Sequence, residues 1–150
     1  MTAGAETDPA PACPLCDEPG GELVWQDAQV RVILAHEPDY PGFCRVIWNA
    51  HVAELSDLDA AGRLHLMQIV IRVEQVLREI MSPDKINLAS LGNQVPHLHW
   101  HVIPRFADDA HFPSPVWAPQ QRTVVAALLA ERSARAAQLP EALRRELESA

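Results

Sequence analysis

Apolar and polar positions alternate in short runs through the first third of the chain. Glu22 to Trp25 and Val30 to Leu34 read as two strands around the turn Gln26-Asp27-Ala28, with Gly20-Gly21 turning the chain before them. Two prolines and a glycine in Pro38-Asp39-Tyr40-Pro41-Gly42 mark a loop. Phe43 to Trp48 (F-C-R-V-I-W) is then a third strand, rich in β-formers. Next the period lengthens. Leu64, Leu66, Met67, Val70, Ile71, Val73, Val76, Leu77 and Ile80 follow a helical stripe. Ser56 is the expected cap, with Asp59 three residues on, and Ser82-Pro83 the stop. Lys85 to Leu91 and His97 to Pro104 return to strand, separated by Gly92-Asn93. From Pro119 onward Ala, Leu, Glu and Arg predict helix broken at Pro140, its Arg/Glu mix from Gln120 to Glu148 forming a solvated surface. This order predicts an α+β domain: a mostly antiparallel sheet, one long central helix and a helical C-terminal tail. Residues 1–11 read as a flexible tail, and no internal repeat is present.

Composition narrows the function classes. A chain of 150 residues, 48% of them hydrophobic, fits one domain with a real core. Twelve Lys and Arg against 20 Asp and Glu give a formal charge of −8. That balance argues against nucleic-acid and anionic-membrane partners, which need clustered cations. A small anionic ligand in a local pocket is still compatible with it. No run of about 18 apolar residues predicts a membrane span. Met1 to Pro11 lacks the basic and apolar regions of a secretory signal, so a cytoplasmic location is expected. Three cysteines do not make a disulfide scaffold. Cys44 is expected as a buried thiol, while Cys13 and Cys16 form a C-x-x-C pair.

The chemistry-bearing run is His97-Leu98-His99-Trp100-His101-Val102-Ile103. Strand side chains alternate, so the three imidazoles are expected on one face, roughly 6.6–6.8 Å apart along the strand. Leu98, Trp100 and Val102 would then anchor the other face. A neutral imidazole whose one nitrogen is pinned as N–H offers the other as a nucleophile toward phosphorus. Asn87, Gly92, Asn93 and Gln94 lie just ahead and could cradle phosphate oxygens with neutral amides and glycine backbone. Two rival roles compete with this one. The run could be a partly solvated face, or a three-histidine catalytic metal site, although ligands at i, i+2 and i+4 of a flat strand converge poorly on one ion. The Cys13/Cys16 pair is either half a zinc site or two reduced thiols.

H-L-H-W-H-V-I followed by Pro104-Arg105 resembles the His-φ-His-φ-His-φ-φ signature of the histidine triad (HIT) superfamily, φ being apolar. The order of elements before it agrees, so the resemblance covers roughly residues 12–117 and leaves 118–150 as a helical extension. Ile86 to Asn93 and Pro96 are similar to the bacterial HIT hydrolases of the diadenosine tetraphosphate hydrolase group. The resemblance implies that His99 attacks the α-phosphorus and carries a nucleotidyl group, that His101 contacts the phosphate, and that His97 orients His99 directly or through its backbone. Gln94 would stand near the leaving group, and Asn87 and Gly92 at phosphate oxygens. The base pocket would fall near Leu15, Ile33 and His36. Ala35 occupies the place where the family has an Asp or Asn on the ribose. A structural zinc on Cys13, Cys16, His51 and His97 is implied, as is a homodimer, and no catalytic cofactor. Dinucleoside polyphosphates or nucleoside phosphoramidates are the implied substrates. The rival from another class is a nucleotide-binding or sensing protein that keeps the triad for affinity. Trp117 would approach the site or simply pack, and Arg105 would bind a distal phosphate or end its strand. His65 is expected on a helix surface and His111 in a solvated loop. Trp25 and Trp48 are expected in the core.

Overall fold

The computed structural model describes residues 12–149, so the tail expected over residues 1–11 lies outside the described residues. A single helical turn, α1 (Pro14–Asp17), is followed by strands β1 (Glu22–Gln26), β2 (Val30–Leu34) and β3 (Cys44–Trp48). A 3-10 turn at Leu55–Asp57 leads into α2 (Ala60–Met81). Strands β4 (Lys85–Ala89) and β5 (His99–Arg105) and helices α3 (Ala126–Ala136) and α4 (Leu139–Glu148) complete the chain. The sheet runs β1-β2-β3-β5-β4, every pair antiparallel. The α+β class and the long central helix are as the sequence predicts.

Period-two alternation gives the sheet two different faces. Val30, Val32, Leu34, Cys44, Val46, Trp48 and Val102 pack into the main core with Leu66, Val70, Val73 and Leu77 of α2. Each such burial stabilises by about 1.5–3 kcal/mol. The other face carries Ile33, Ile47 and Ile103, buried with Leu15, Ala35, Tyr40 and Phe43. His99 and His101 stand on this second face, because His101 pairs with Arg45 and His99 with Ile47 across β3.

Several local expectations are corrected. The cap of α2 is Asp59, whose side chain accepts from the Gly62 N–H at 2.7 Å; Ser56 lies inside the 3-10 turn. Asp27 and Asp57 show the same use of short carboxylates: Asp27 Oδ1 accepts from the Val30 N–H at 2.7 Å and Asp57 Oδ2 from the Glu54 N–H at 2.9 Å. In α2, Leu64 and Ile71 face solvent, while Ile69 and Met81 complete the buried stripe. The C-terminal helix breaks at Ala137-Gln138 rather than at Pro140, which sits in the first turn of α4, where its missing N–H costs nothing. The helices are also more than a solvated surface. Leu139, Leu143 and Leu147 are buried in the main core, against α2 and β1.

Candidate functional site

Strand β5 does not present three equivalent histidines. Strand pairing starts at His99, and His97 precedes it in an irregular segment. Its ring is fully buried and turned to the two cysteines. The three rings expected on one face are therefore divided into a pair and a separate cluster.

In the pair, His99 and His101 have ring centroids 4.9 Å apart at an interplanar angle of 81°. That is closer than backbone spacing alone gives, because the rings lean together edge to face. His99 donates from Nδ1 to the His97 carbonyl oxygen at 2.5 Å. A carbonyl can only accept, so in the neutral ring the proton sits on Nδ1 and Nε2 keeps a free lone pair. Ser90 Oγ donates to the His99 carbonyl at 2.8 Å and holds its backbone. Burial, then the neighbouring His99 and Arg45, push the His101 imidazole down to about 4, so it is neutral at pH 7. Its Nδ1 is buried without a partner among the described residues. Phe43 meets the His101 ring edge-on at 5.6 Å, and Trp117 stands 5.0 Å from it. Trp117 thus reaches the site within its own chain, while 53% of its surface stays exposed.

The second cluster joins Cys13, Cys16, His51 and His97, whose ligand atoms all lie within 4.8 Å of one another. Cys13 Sγ is 3.3 Å from His97 Nδ1, Cys16 Sγ 3.4 Å from His51 Nδ1, and the two Nδ1 atoms are 3.3 Å apart. A tetrahedral zinc with the usual N and S bond lengths sets its ligand atoms about 3.3–3.8 Å apart, so the set fits that ion. His97 Nε2 donates to the Trp48 carbonyl at 2.6 Å, which leaves the Nδ1 lone pair aimed at the cysteines. α1 places both thiols on one short turn. Arg31, buried in the middle of β2, clamps that turn by donating to the carbonyls of Leu15, Glu18 and Pro19.

A third assembly orders the loop after β5. Arg105 is 2% exposed and donates to Asp109 twice, to Asn87 Oδ1 at 2.7 Å and to the Ser114 carbonyl at 2.7 Å. Four of its five donors are thus spent on protein oxygens, and it is also the last residue of β5. Burial alone would raise the Asp109 carboxyl; Arg105 and the N–H groups of His111, Phe106 and Phe112 outweigh it and hold it at about 2. His111 is not free in solvent: it stacks on Tyr40 at 5.7 Å and bonds its hydroxyl through Nδ1 at 2.5 Å. His65 does lie at the surface, paired with Asp27 at 2.6 Å.

The remaining expected residues divide. Asn87, its Oδ1 taken by Arg105, lines a 510 Å³ cavity with Lys85, Ala89 and Trp117. Gly92, at φ 77°, lines a 250 Å³ cleft beside Ser90, His97 and His99. Asn93 and Gln94 are exposed on the same loop. Leu15 and Ile33 do come together, but packed in the second core, and Ile33 has no exposed surface. His36 is not with them. It pairs with Glu22 at 3.5 Å in a separate 440 Å³ groove against Ala136 and Pro140. Arg31, Arg45 and Asp109 are absent from the residues the sequence singles out. The signal for the two arginines was legible: each is one cation inside an otherwise apolar strand.

A histidine pair of this kind, on the open face of a five-stranded sheet, defines a class. The chain belongs to the HIT domain family, whose pattern matches residues 18–108. It is 26% identical over 117 residues to the AP-4-A phosphorylase of Mycobacterium tuberculosis, covering 74% of this chain and 60% of that one. It is 34% identical over 91 residues to the asymmetrical bis(5'-nucleosyl)-tetraphosphatase of Schizosaccharomyces pombe, covering 57% and 50%. The chain thus spans only 50% to 60% of the length of these relatives. The fold superposes on a histidine triad protein from Bradyrhizobium japonicum with a TM-score of 0.66 and 31% identity, covering 83% of this chain and 90% of that one.

Proposed function

We propose that this chain is a nucleotide hydrolase or nucleotidyl transferase acting on dinucleoside polyphosphates or nucleoside phosphoramidates. The observation that carries the proposal is the His99 tautomer: Nδ1–H is spent on the His97 carbonyl, which leaves Nε2 as a base-form nucleophile. In the first step Nε2 attacks the α-phosphorus. A P–N bond forms, the bond to the leaving group breaks, and the leaving group takes a proton. In the second step water attacks the same phosphorus, the P–N bond breaks, and nucleoside monophosphate leaves with His99 restored. His97 orients His99 through its carbonyl. His101, neutral and packed edge to face on His99, contacts the phosphoryl oxygens, and Asn87, with Oδ1 fixed on Arg105, offers its amide N–H groups. Gly92, Asn93 and Gln94 border the leaving-group side. Relatives named for diadenosine tetraphosphate chemistry support this substrate class.

In the same reading Cys13, Cys16, His51 and His97 hold a structural zinc, which would tie the N-terminal turn to the segment before β5. No chemical step passes through it. The two thiols, left unpaired by any disulfide, suit a reducing compartment such as the cytoplasm. No described helix is long and apolar enough to cross a membrane. A homodimer is proposed through β4, an edge strand that exposes Leu88 and precedes exposed Leu91. The test is rapid quenching of the protein with labelled diadenosine tetraphosphate. An acid-labile adenylyl group on the peptide containing His99 is the expected result. Turnover with no adduct in wild type or in slowed variants would overturn the covalent route.

A further inference from the structure

The site as described has a nucleophile and neutral donors but no fixed positive charge. His101 is neutral at pH 7. Arg105 and Arg31 each spend four of their five donors on protein oxygens. Lys85 is exposed on the edge strand. Phosphoryl transfer, however, gathers negative charge on the non-bridging oxygens, and such sites meet it with preorganised cations or dipoles.

Arg45 is the cation on the correct face. It sits in β3 directly across from His101, with Ile33 on its other side. Its neighbours Cys44 and Val46 point into the main core, so Arg45 points to the histidine face. The guanidinium is half-buried, with Cζ 5.4 Å from the centre of the Phe43 ring, the same ring that meets His101 edge-on. Of its five donors, one makes a hydrogen bond among the described residues, Nη1 to the Gly20 carbonyl at 3.2 Å. Gly20 holds φ at 90°, and a Cβ there would come within 2.7 Å of Leu15, so the carbonyl that steers Arg45 depends on glycine. No described carboxylate forms an ion pair with Arg45; its closest electrostatic compensation is exposed Glu37. A partly desolvated guanidinium with idle donors is costly unless an anion meets it. Its planar fork matches two phosphoryl oxygens.

We infer that Arg45 binds the non-bridging oxygens of the phosphoryl group that His99 attacks and supplies the fixed positive charge of the site. The assignment of which phosphoryl group rests on the proposed reaction, but anion binding by Arg45 can be measured without it. Inorganic phosphate and AMP are titrated against wild type, Arg45→Gln and Arg45→Lys by calorimetry. Folding of each variant is checked by thermal melting, and diadenosine tetraphosphate turnover is measured in parallel. Arg45→Gln is expected to weaken both anions by about 10-fold or more, and to lower kcat/KM by about 10²-fold or more, mostly in kcat. Arg45→Lys should recover part of the anion affinity. Should Arg45→Gln fail to fold, the shift of the wild-type Arg45 Nε–H resonance on adding phosphate decides the matter. Unchanged phosphate affinity in folded Arg45→Gln, an unmoved resonance, or a wild type that binds no phosphate would overturn the inference. Arg45-dependent phosphate binding in a protein that cleaves no dinucleoside polyphosphate would keep the inference and overturn the proposed reaction.

Discussion

His97 and His99 are two residues apart and share one motif, yet they carry opposite tautomers. His97 spends Nε2–H on the Trp48 carbonyl and turns the Nδ1 lone pair to Cys13 and Cys16. His99 spends Nδ1–H on the His97 carbonyl and keeps the Nε2 lone pair for the open face. The residue type is the same; the position of one backbone carbonyl decides which nitrogen is available. One imidazole is thereby suited to holding an ion and its neighbour to attacking an electrophile. The His97 carbonyl also links the two regions: the cluster that fixes His97 thereby fixes the acceptor on which the His99 tautomer depends.

The largest test of this division is His99→Ala. Turnover of diadenosine tetraphosphate should fall by about 10³-fold or more, with thermal stability nearly unchanged, since His99 contributes to no apolar cluster. Activity close to wild type would remove the distinction between the two histidines. The complementary test removes the ion. Purified protein should carry one equivalent of zinc, lost in Cys13→Ser/Cys16→Ser. Chelation should cost about 4 kcal/mol when the free ion had stood at a thousand times its dissociation constant. Differential scanning calorimetry reads this as a lower melting temperature, while the activity of the molecules still folded falls far less than in His99→Ala. A variant equally stable and free of metal would end the zinc assignment.

Acid separates the regions by a smaller amount. His101 titrates near 6.5 in an unfolded chain and near 4 in the folded one. Between those values the unfolded state binds more protons, so stability falls as pH drops from about 6.5 to 4, by up to about 3 kcal/mol. Asp109 behaves as a depressed acid, and its contribution disappears lower, between 3.8 and about 2. Urea unfolding at several pH values should show both windows. His101→Gln should make the upper one shallower, leaving the part due to His97, whose imidazole is also pushed down by burial, and keep the lower one in place; an unchanged upper slope would show that His101 does not titrate there.

How much of this could be read in the sequence depends on the range of the interactions involved. Strands β1 to β5 and α2 were legible because alternation and helical periodicity are local records of burial. The cluster of Cys13, Cys16, His51 and His97 was legible through the family resemblance, and the structure brings those four together. The position of His97 outside the strand was not, because it depends on the Trp48 carbonyl 49 residues away in sequence. Period-two spacing could not show it. Nor could His36 be placed, since the groove it lines is built by α3 and α4 packing back on the sheet. The buried Arg105–Asp109 pair hid in a strand end and a loop that separately look solvent-facing. Arg31 and Arg45 were overlooked although each interrupts an apolar strand. A lone cation at such a position needs oxygens to receive it, from the protein for Arg31 and in part from a ligand for Arg45.

The smallest expected effect concerns the exposed aromatic residue that borders the open pair. Trp117 lies against His101 at an interplanar angle of 67°, on a loop tied down by Arg105 through the Ser114 carbonyl. Half of its ring is free, so it closes one side of the site without belonging to the core. An edge-to-face pair contributes about 0.5–1.5 kcal/mol beyond its buried area. If that energy serves to shape the binding site, Trp117→Ala should raise KM by about 2–10-fold and leave kcat nearly unchanged. If instead the ring positions His101 for the attack itself, kcat should fall and KM stay. Steady-state kinetics distinguish the two, and the melting temperature should hardly move either way. A loss confined to kcat would mean that the open pair, like the closed cluster, needs its surroundings to hold its rings in place.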